Sequence, residues 1–321
     1  MSMHAAVVRS FDEPSRYETY DTPEPTGPDE TLVDVLAAGL HPRVRTGASG
    51  QHYTSTGALP MIPGVDGVGR LPDGRRVYFA ADDDTWGTMA DQAVVDLRRT
   101  LPLPAGADIA KVAAAMNPAM SSWVALRRRV QLQPGQSVLV LGATGNAGAM
   151  AVQVAKRLGA GRVVGAGRNP ARLAELTALG ADEVVALDDD PAVTAERLAK
   201  AAAEVDIVLD YLWGQPTALA ITALLTARED RSRALDWIEI GAMAGPAVEL
   251  PSAALRSANL RLQGSGQGSV SPRHYLAELP SLVAEIDAGA ITVNTRPVPL
   301  AEVEAAWTAP EPAGVRTVLI P

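Results

Sequence analysis

The chain has 321 residues, with 28 Lys and Arg against 37 Asp and Glu and a net charge of -9. That balance argues against nucleic acid as a partner, which needs a concentrated basic face, but it does not bar an anionic cofactor held by local arginines and amides. Cysteine is absent, which excludes disulfides, thiol nucleophiles and cysteine-ligated zinc and fits a reducing cytoplasm.

The length predicts two domains, each able to bury a core. No apolar run approaches the about 18–20 residues of a membrane-spanning helix. The N-terminus, MSMHAAVVRS, lacks the basic-then-apolar pattern of a signal peptide. The histidines are His4, His41, His52 and His274, without an HExxH pair, so a His-rich metal site is not expected.

Roughly the first third of the chain is rich in Pro, Gly and Thr. Short apolar runs, Ala5–Val8, Thr31–Leu36 and Ala93–Leu97, are separated by turn signals such as Thr22–Glu30, the pattern of an irregular β domain. Helical segments are expected at Ala110–Ala115 and Ser121–Val130, with Arg127–Val130 a solvated helix end, then a turn at Leu132–Gly135. From Val138 the chain alternates. Strands are expected at 138–141, 162–166, 183–187, 205–210, 237–241 and 260–263, and helices at 147–158, 171–179, 192–203 and 216–226. Six such strands predict a doubly wound parallel sheet with helices on both faces. After Gly264-Ser265-Gly266 the alternation stops. A helix at 273–288 remains, and the extended tail Arg316–Ile320, too short for a domain, is expected to return to the N-terminal domain as a strand.

The most specific stretch is VLVLGATGNAGAMAVQVAKRLGAGRVVGAGR, residues 138–168. A strand enters the turn Gly142-Ala143-Thr144-Gly145-Asn146-Ala147-Gly148, an amphipathic helix follows to Leu158, and a second strand ends at Gly167-Arg168. Glycines let backbone amides approach a pyrophosphate, and the helix start adds a positive dipole end. An NAD-binding chain offers an acidic residue about 20 positions on; this chain offers Arg168, which suits a 2′-phosphate and points to NADPH. A solvated surface arginine is the plainer alternative. Asn169 and Pro170 read as an N-cap and first-turn pair, so Arg172 either reaches the same phosphate or forms an exposed salt bridge.

At this point the chain resembles the medium-chain dehydrogenase/reductase superfamily, in its zinc-independent quinone oxidoreductase branch. The resemblance rests on AAGLHPRVRTG (37–47), LPMIPGVDGVG (59–69), GRRVYF (74–79), GTMADQAVV (87–95), LQPGQSVLVLGATGNAG (132–148), LGADEVVALDD (179–189), VDIVLDYLWG (205–214), IGAMAG (240–245), LQGSG (262–266) and GVRTVLIP at the end. It implies a Rossmann dinucleotide-binding domain at 120–265. It also implies a β-rich, chaperonin-10-like (GroES-like) catalytic domain made of 1–119 and 266–321. NADPH would lie in the cleft between the two, and the protein would be a homodimer. Zinc-dependent relatives place Cys at the position of His41, His at Val65 and Cys near Pro118, so only one of the three could bind metal here, where a catalytic zinc needs about three protein ligands.

Metal-free hydride chemistry favours an acceptor that is already electron-poor, a quinone or an α,β-unsaturated carbonyl. The resemblance brings His41, Tyr53 and Asn117 forward as catalytic candidates. His41 falls where relatives carry Asn beside the nicotinamide ribose, Tyr53 lies in a substrate-pocket loop, and Asn117, Ser121 and Ser122 lie at the segment crossing between lobes. Each has a structural alternative, as a turn histidine, a surface tyrosine or satisfied polar residues. His52 is expected to face solvent and Asp66 to be structural. Tyr211 and Trp213 border the cofactor site or belong to the core. Backbone atoms of Gly241, Ala242 and Met243, with Gly264 and Ser265, would hold the nicotinamide end. Besides quinone or enone reduction, the residues are compatible with a trans-acting enoyl reductase of a biosynthetic pathway and with a non-catalytic NADPH-binding or sensor protein.

Overall fold

The computed structural model describes residues 1–81 and 85–321. They divide into two compact units, Met1–Asn117 with Leu279–Pro321, and Pro118–Glu278.

In the first unit β1 (Ser2–Val7) pairs antiparallel with β2 (Arg16–Asp21). The long β3 (Glu30–Leu40) is followed by α1 (Pro42–Ala48), β4 (Asp66–Arg70), β5 (Arg76–Ala80), β6 (Gln92–Asp96) and β7 (Thr100–Pro102). β3 pairs antiparallel with both β4 and β6, and β5 with β4 and β7. Alternate inward positions fill the core with Val33, Val35, Val77, Phe79 and Val95, as a half-buried antiparallel sheet requires. The helix α1 carries no sequence periodicity because it has only seven residues; Pro42 at its first position starts it.

α2 (Ile109–Val124) is one helix where two segments are expected, with Pro118 inside it and a five-residue π turn, Ala125–Arg129, after it. Proline removes one hydrogen bond from a helix. Here the buried run Val112–Met116 and the buried Ala119, Trp123 and Val124 keep the axis in place on either side.

The second unit runs through β8 (Ser137–Leu141), α3 (Asn146–Arg157), β9 (Arg162–Gly167), α4 (Pro170–Leu176), β10 (Glu183–Ala186), α5 (Pro191–Ala202), β11 (Ile207–Asp210), α6 (Gly214–Ala227), β12 (Leu235–Glu239), α7 (Ser252–Arg256) and β13 (Leu260–Gly264). All six strands are parallel, in the order β10-β9-β8-β11-β12-β13. This is the doubly wound sheet expected from the alternation. Strand order reverses between β8 and β11, and a crevice for a ligand opens at the carboxyl ends of strands at such a point. Leu139, Leu141, Val164, Val208 and Trp237 of the sheet pack with Leu198, Ile221 and Leu224 of the helices.

α8 (Pro272–Asp287) carries Glu278, whose buried carboxylate accepts Trp123 Nε1 at 3.1 Å and pairs with Arg127 and with Arg128 at 2.5 Å. The basic run read as a solvated helix end is therefore anchored at two of its arginines. β14 (Asn294–Pro299), α9 (Val303–Thr308) and β15 (Val315–Ile320) complete the first unit. β15 pairs parallel with β14 and antiparallel with β3. The tail thus returns to the N-terminal sheet. Buried Arg316 fixes it by donating to Leu40 O at 3.0 Å and pairing with Glu311 at 2.9 Å. Among the described residues no helix is long and apolar enough to cross a membrane.

Asp210, the last residue of β11, is fully buried. Its Oδ1 accepts the amides of Leu212 (2.9 Å) and Trp213 (3.0 Å), and its Oδ2 accepts Trp237 Nε1 (2.9 Å) and the Thr217 hydroxyl (2.5 Å). Asp210→Ala strands all four donors and is expected to cost about 2–5 kcal/mol, measured as a lower urea midpoint at unchanged m value.

Candidate functional site

The glycine turn sits at the switch point. Gly142 has φ of 85°, a conformation that favours glycine, and an added Cβ would press on Leu212 and Tyr211 at 3.1 and 3.2 Å. At Gly148 a Cβ would lie 2.2 Å from Gly142 O, so only glycine lets the first turn of α3 pack against the turn. α3 starts from Gly145 with no side-chain cap, which leaves the helix start to the amides of its first turn. Thr144, Asn146 and Ala147 fill the turn. Gly142 N and Ala143 N both donate to Ala166 O, at 2.9 and 2.8 Å, tying the turn to β9. Such a start, uncapped by side chains and closely packed on glycines, fits a pyrophosphate.

At the end of β9, a Cβ on Gly167 would lie 2.4 Å from the Thr144 side chain, so threonine and glycine close over each other beside the turn. Arg168 follows, exposed and without an ion pair among the described residues. Asn169 caps α4 by accepting Arg172 N at 3.2 Å. Arg172 forms the salt bridge of the alternative reading but is not exposed. It is buried and pairs with Glu175 one turn on.

Beyond β11, the Tyr211 hydroxyl lies 3.0 Å from Ser121 Oγ, which also donates to Pro118 O at 2.7 Å. Burial pushes the Tyr211 phenol up to about 12, against hydrogen bonding with Ser121 and Ser122 that lowers it. It is therefore a neutral hydroxyl near neutral pH. Ser122 is buried and donates to Ala119 O at 3.1 Å. Both serines sit inside the helix rather than capping it. Trp213 adopts a positive φ of 53°, unusual for a bulky residue, held by the Asp210 carboxylate on its amide. Gly241 N donates to Asp210 O (3.2 Å) and Met243 N to Tyr211 O (3.3 Å). Gly241, Ala242 and Met243 thereby form a ledge on the segment after β11, with the Met243 side chain exposed. Buried Ser265 donates its amide to Glu239 O at 2.8 Å, and Gly264 O accepts Arg129 Nε at 3.0 Å.

In the first unit, His41 is 3% exposed and Asp66 equally buried. His41 Nε2 lies 3.3 Å from Asp66 Oδ1, and the Tyr78 hydroxyl donates to Asp66 Oδ2 at 2.8 Å. Burial lowers the His41 pKa, opposed by Asp66, and burial first of all raises that of Tyr78 well above its usual range. The imidazole is thus neutral and gives its Nε2–H to Asp66. Tyr53 is 71% exposed and stacks on His52 at 4.4 Å. His52 is only partly open to solvent: its Nδ1 meets Thr54 Oγ1 at 2.8 Å, and burial, then Arg43, lower its pKa to about 4. Asn117 is half-buried within α2.

Sequence reading does not single out Asp210, Glu239 or Glu175. Asp210 closes a strand without periodic signal, and its four donors come from three separate stretches of the chain. Glu239 ends β12, where burial, then Asp210, raise its pKa. Glu175 alone carries a readable signal, the i, i+3 spacing from Arg172. Among the described residues no group of three or more His, Cys, Asp or Glu is placed to hold a metal ion.

A family model described as zinc-binding dehydrogenase matches residues 147–285. The chain is 31% identical over 359 aligned positions to a protein of Emericella nidulans named as a probable NADPH-dependent quinone reductase, tdiC, spanning 99% of this chain and all of that one. It is 26% identical over 153 positions to the trans-enoyl reductase pgmF of Aspergillus terreus, covering 41% of this chain and 42% of that one. The solved quinone oxidoreductase of Thermus thermophilus, whose structures include a complex with NADPH, superposes with a TM-score of 0.81 at 30% identity, over 99% of this chain and 100% of that one. With its glycine turn at the switch point of a six-stranded parallel sheet and likeness along its whole length, the chain belongs to the medium-chain dehydrogenase/reductase superfamily, in its quinone oxidoreductase branch.

Proposed function

We propose that this chain is an NADPH-dependent, metal-free reductase of quinones or α,β-unsaturated carbonyls, working as a homodimer. The observation that carries the reading is the glycine turn of Gly142–Gly148 beside β9, whose end presents exposed Arg168 where an acidic residue would serve NADH. The printed names of tdiC and of the Thermus enzyme support it.

Bound NADPH supplies a hydride from nicotinamide C4 to the electrophilic carbon of the acceptor, and solvent supplies the proton that completes the two-electron reduction. The chain's own residues do the rest. Amides of Gly145, Asn146, Ala147 and Gly148, with Gly142 and Thr144 in the same turn, would hold the pyrophosphate. Gly167 lets Thr144 pack closely beside the turn, and Arg168 with Arg172 would bind the 2′-phosphate. Tyr211, the Gly241–Ala242–Met243 ledge, Gly264 and Ser265 orient the nicotinamide end. Tyr53 and Asn117 offer hydrogen bonds to the acceptor oxygen. His41, neutral and committed through Nε2 to Asp66, orders its surroundings through hydrogen bonds and not through positive charge.

Zinc does not fit: Val65 and Pro118 offer no donor at two of the family's ligand positions, which leaves His41 alone where a catalytic zinc needs about three protein ligands.

A trans-acting enoyl reductase is the second reading, favoured by the partial likeness to pgmF. NADPH oxidation followed at 340 nm with 1,4-benzoquinone or 9,10-phenanthrenequinone, and separately with an enoyl thioester, separates the two. Turnover of the quinones is expected, whereas cofactor binding with no turnover on any acceptor supports the sensor reading instead. Arg168→Glu is expected to weaken NADPH binding by about tenfold or more, with a relative gain for NADH; an unchanged preference defeats the NADPH assignment. His41→Asn keeps a donor toward Asp66, so kcat/KM is expected to fall by less than about tenfold. A loss of about 10²-fold or more would show that His41 serves as the acid.

A further inference from the structure

Arg172 has an unusual electrostatic position. It is 6% exposed, so its cation is largely removed from water. Its Nη1 pairs with the Glu175 carboxylate, while Nε is buried without a hydrogen-bond partner among the described residues. A guanidinium has five N–H donors, and a buried cation served by one carboxylate is poorly compensated. Glu175 itself is the hydrated partner, with 53% of its side chain exposed. Four residues before Arg172, Arg168 stands exposed just after β9, with no carboxylate partner among the described residues. The two arginines therefore differ in burial and in pairing: Arg172 is buried and already occupied, Arg168 is neither.

We infer that Glu175 is a specificity-determining residue, the resident counter-ion of Arg172, which competes with the 2′-phosphate for that guanidinium and so sets how strongly the chain prefers NADPH over NADH. The inference rests on the NADPH reading above. With no dinucleotide bound, Glu175 neutralises a cation that would otherwise be buried alone. A phosphate monoester brings three acceptor oxygens and close to two negative charges, against the single charge of the carboxylate. Displacing Glu175 costs little because that side chain is already half in water. The net affinity is the phosphate interaction less the pair it replaces.

Equilibrium binding of 2′,5′-ADP and 5′-AMP, by calorimetry and without turnover, tests this directly. The wild-type chain is expected to bind 2′,5′-ADP more tightly than 5′-AMP. Glu175→Gln keeps size and a carbonyl acceptor but removes the charge. It is expected to tighten 2′,5′-ADP binding by about 3- to 10-fold, leave 5′-AMP unchanged, and lower the melting temperature of the ligand-free protein. Combining it with Arg172→Met is expected to abolish the gain, the signature of two coupled residues. If Glu175→Gln cannot be purified folded, Glu175→Asp, too short to span the pair, is expected to move 2′,5′-ADP affinity in the same direction. Weaker or unchanged 2′,5′-ADP binding in the Glu175 variants, with the wild-type preference intact, overturns the competition while the NADPH reading stands. A wild-type chain that does not distinguish the two nucleotides overturns both.

Discussion

Four hydrogen-bond donors converge on the Asp210 carboxylate, which has no access to water. A buried carboxylate is tolerated only when its oxygens are occupied, so the donors have little freedom to move. Two are the amides of Leu212 and Trp213, and they force the chain to turn sharply after β11. Another is Trp237 of β12, the largest fully buried side chain of the protein, and the last is Thr217 in the first turn of α6. This one group sets the path of the backbone that carries Tyr211 and receives the amides of Gly241 and Met243.

The glycine turn depends on the same arrangement. Gly142 has no Cβ where Tyr211 and Leu212 press closest, and Gly148 has none where α3 meets the turn. Between these contacts the helix start remains uncapped by side chains. The electrostatics of the site are therefore mostly those of the backbone, with charge added at Arg168 and Arg172. The overall charge of -9 does not bar an anion from this turn, because oriented amides and the exposed Arg168 act at short range, where net charge counts for little. The first unit follows a similar economy. Asp66 is hydrogen-bonded to His41 and Tyr78, a small polar network inside an otherwise apolar set of strands, where burial lowers the His41 pKa against the pull of Asp66 and raises that of Tyr78.

How much of this is readable from residue order depends on the range of the interaction. The βαβ alternation is local, since hydrophobic runs of strand length and helices of matching period recur from Val138 onward, and the six strands appear where expected to within two or three residues. The short helices at Pro42–Ala48, Ser252–Arg256 and Val303–Thr308 are not legible because fewer than two turns leave little period and none has a side-chain cap, whereas Asn169 marks the equally short Pro170–Leu176. The single helix through Pro118 is misjudged for the opposite reason: proline is a strong local signal, and burial on both sides overrides it. Arg127 and Arg128 look solvated in the sequence because their partner, Glu278, lies about 150 positions away.

By itself, the sequence determined the doubly wound sheet, the glycine turn at its centre, the arginine at the end of the second strand, and the absence of a cysteine-ligated metal. These follow from periodicity, from the steric freedom of glycine and from the inventory of side chains, none of which requires knowing what is near what. Only the tertiary structure decided that Asp210 gathers the loops around the switch point, that His41 is buried on Asp66 and neutral, that Ser121 meets Tyr211, and that Arg172 is occupied by Glu175 while Arg168 is not. Burial and pairing of charges are properties of space rather than of order along the chain, and they set which of two similar residues is free to meet a ligand.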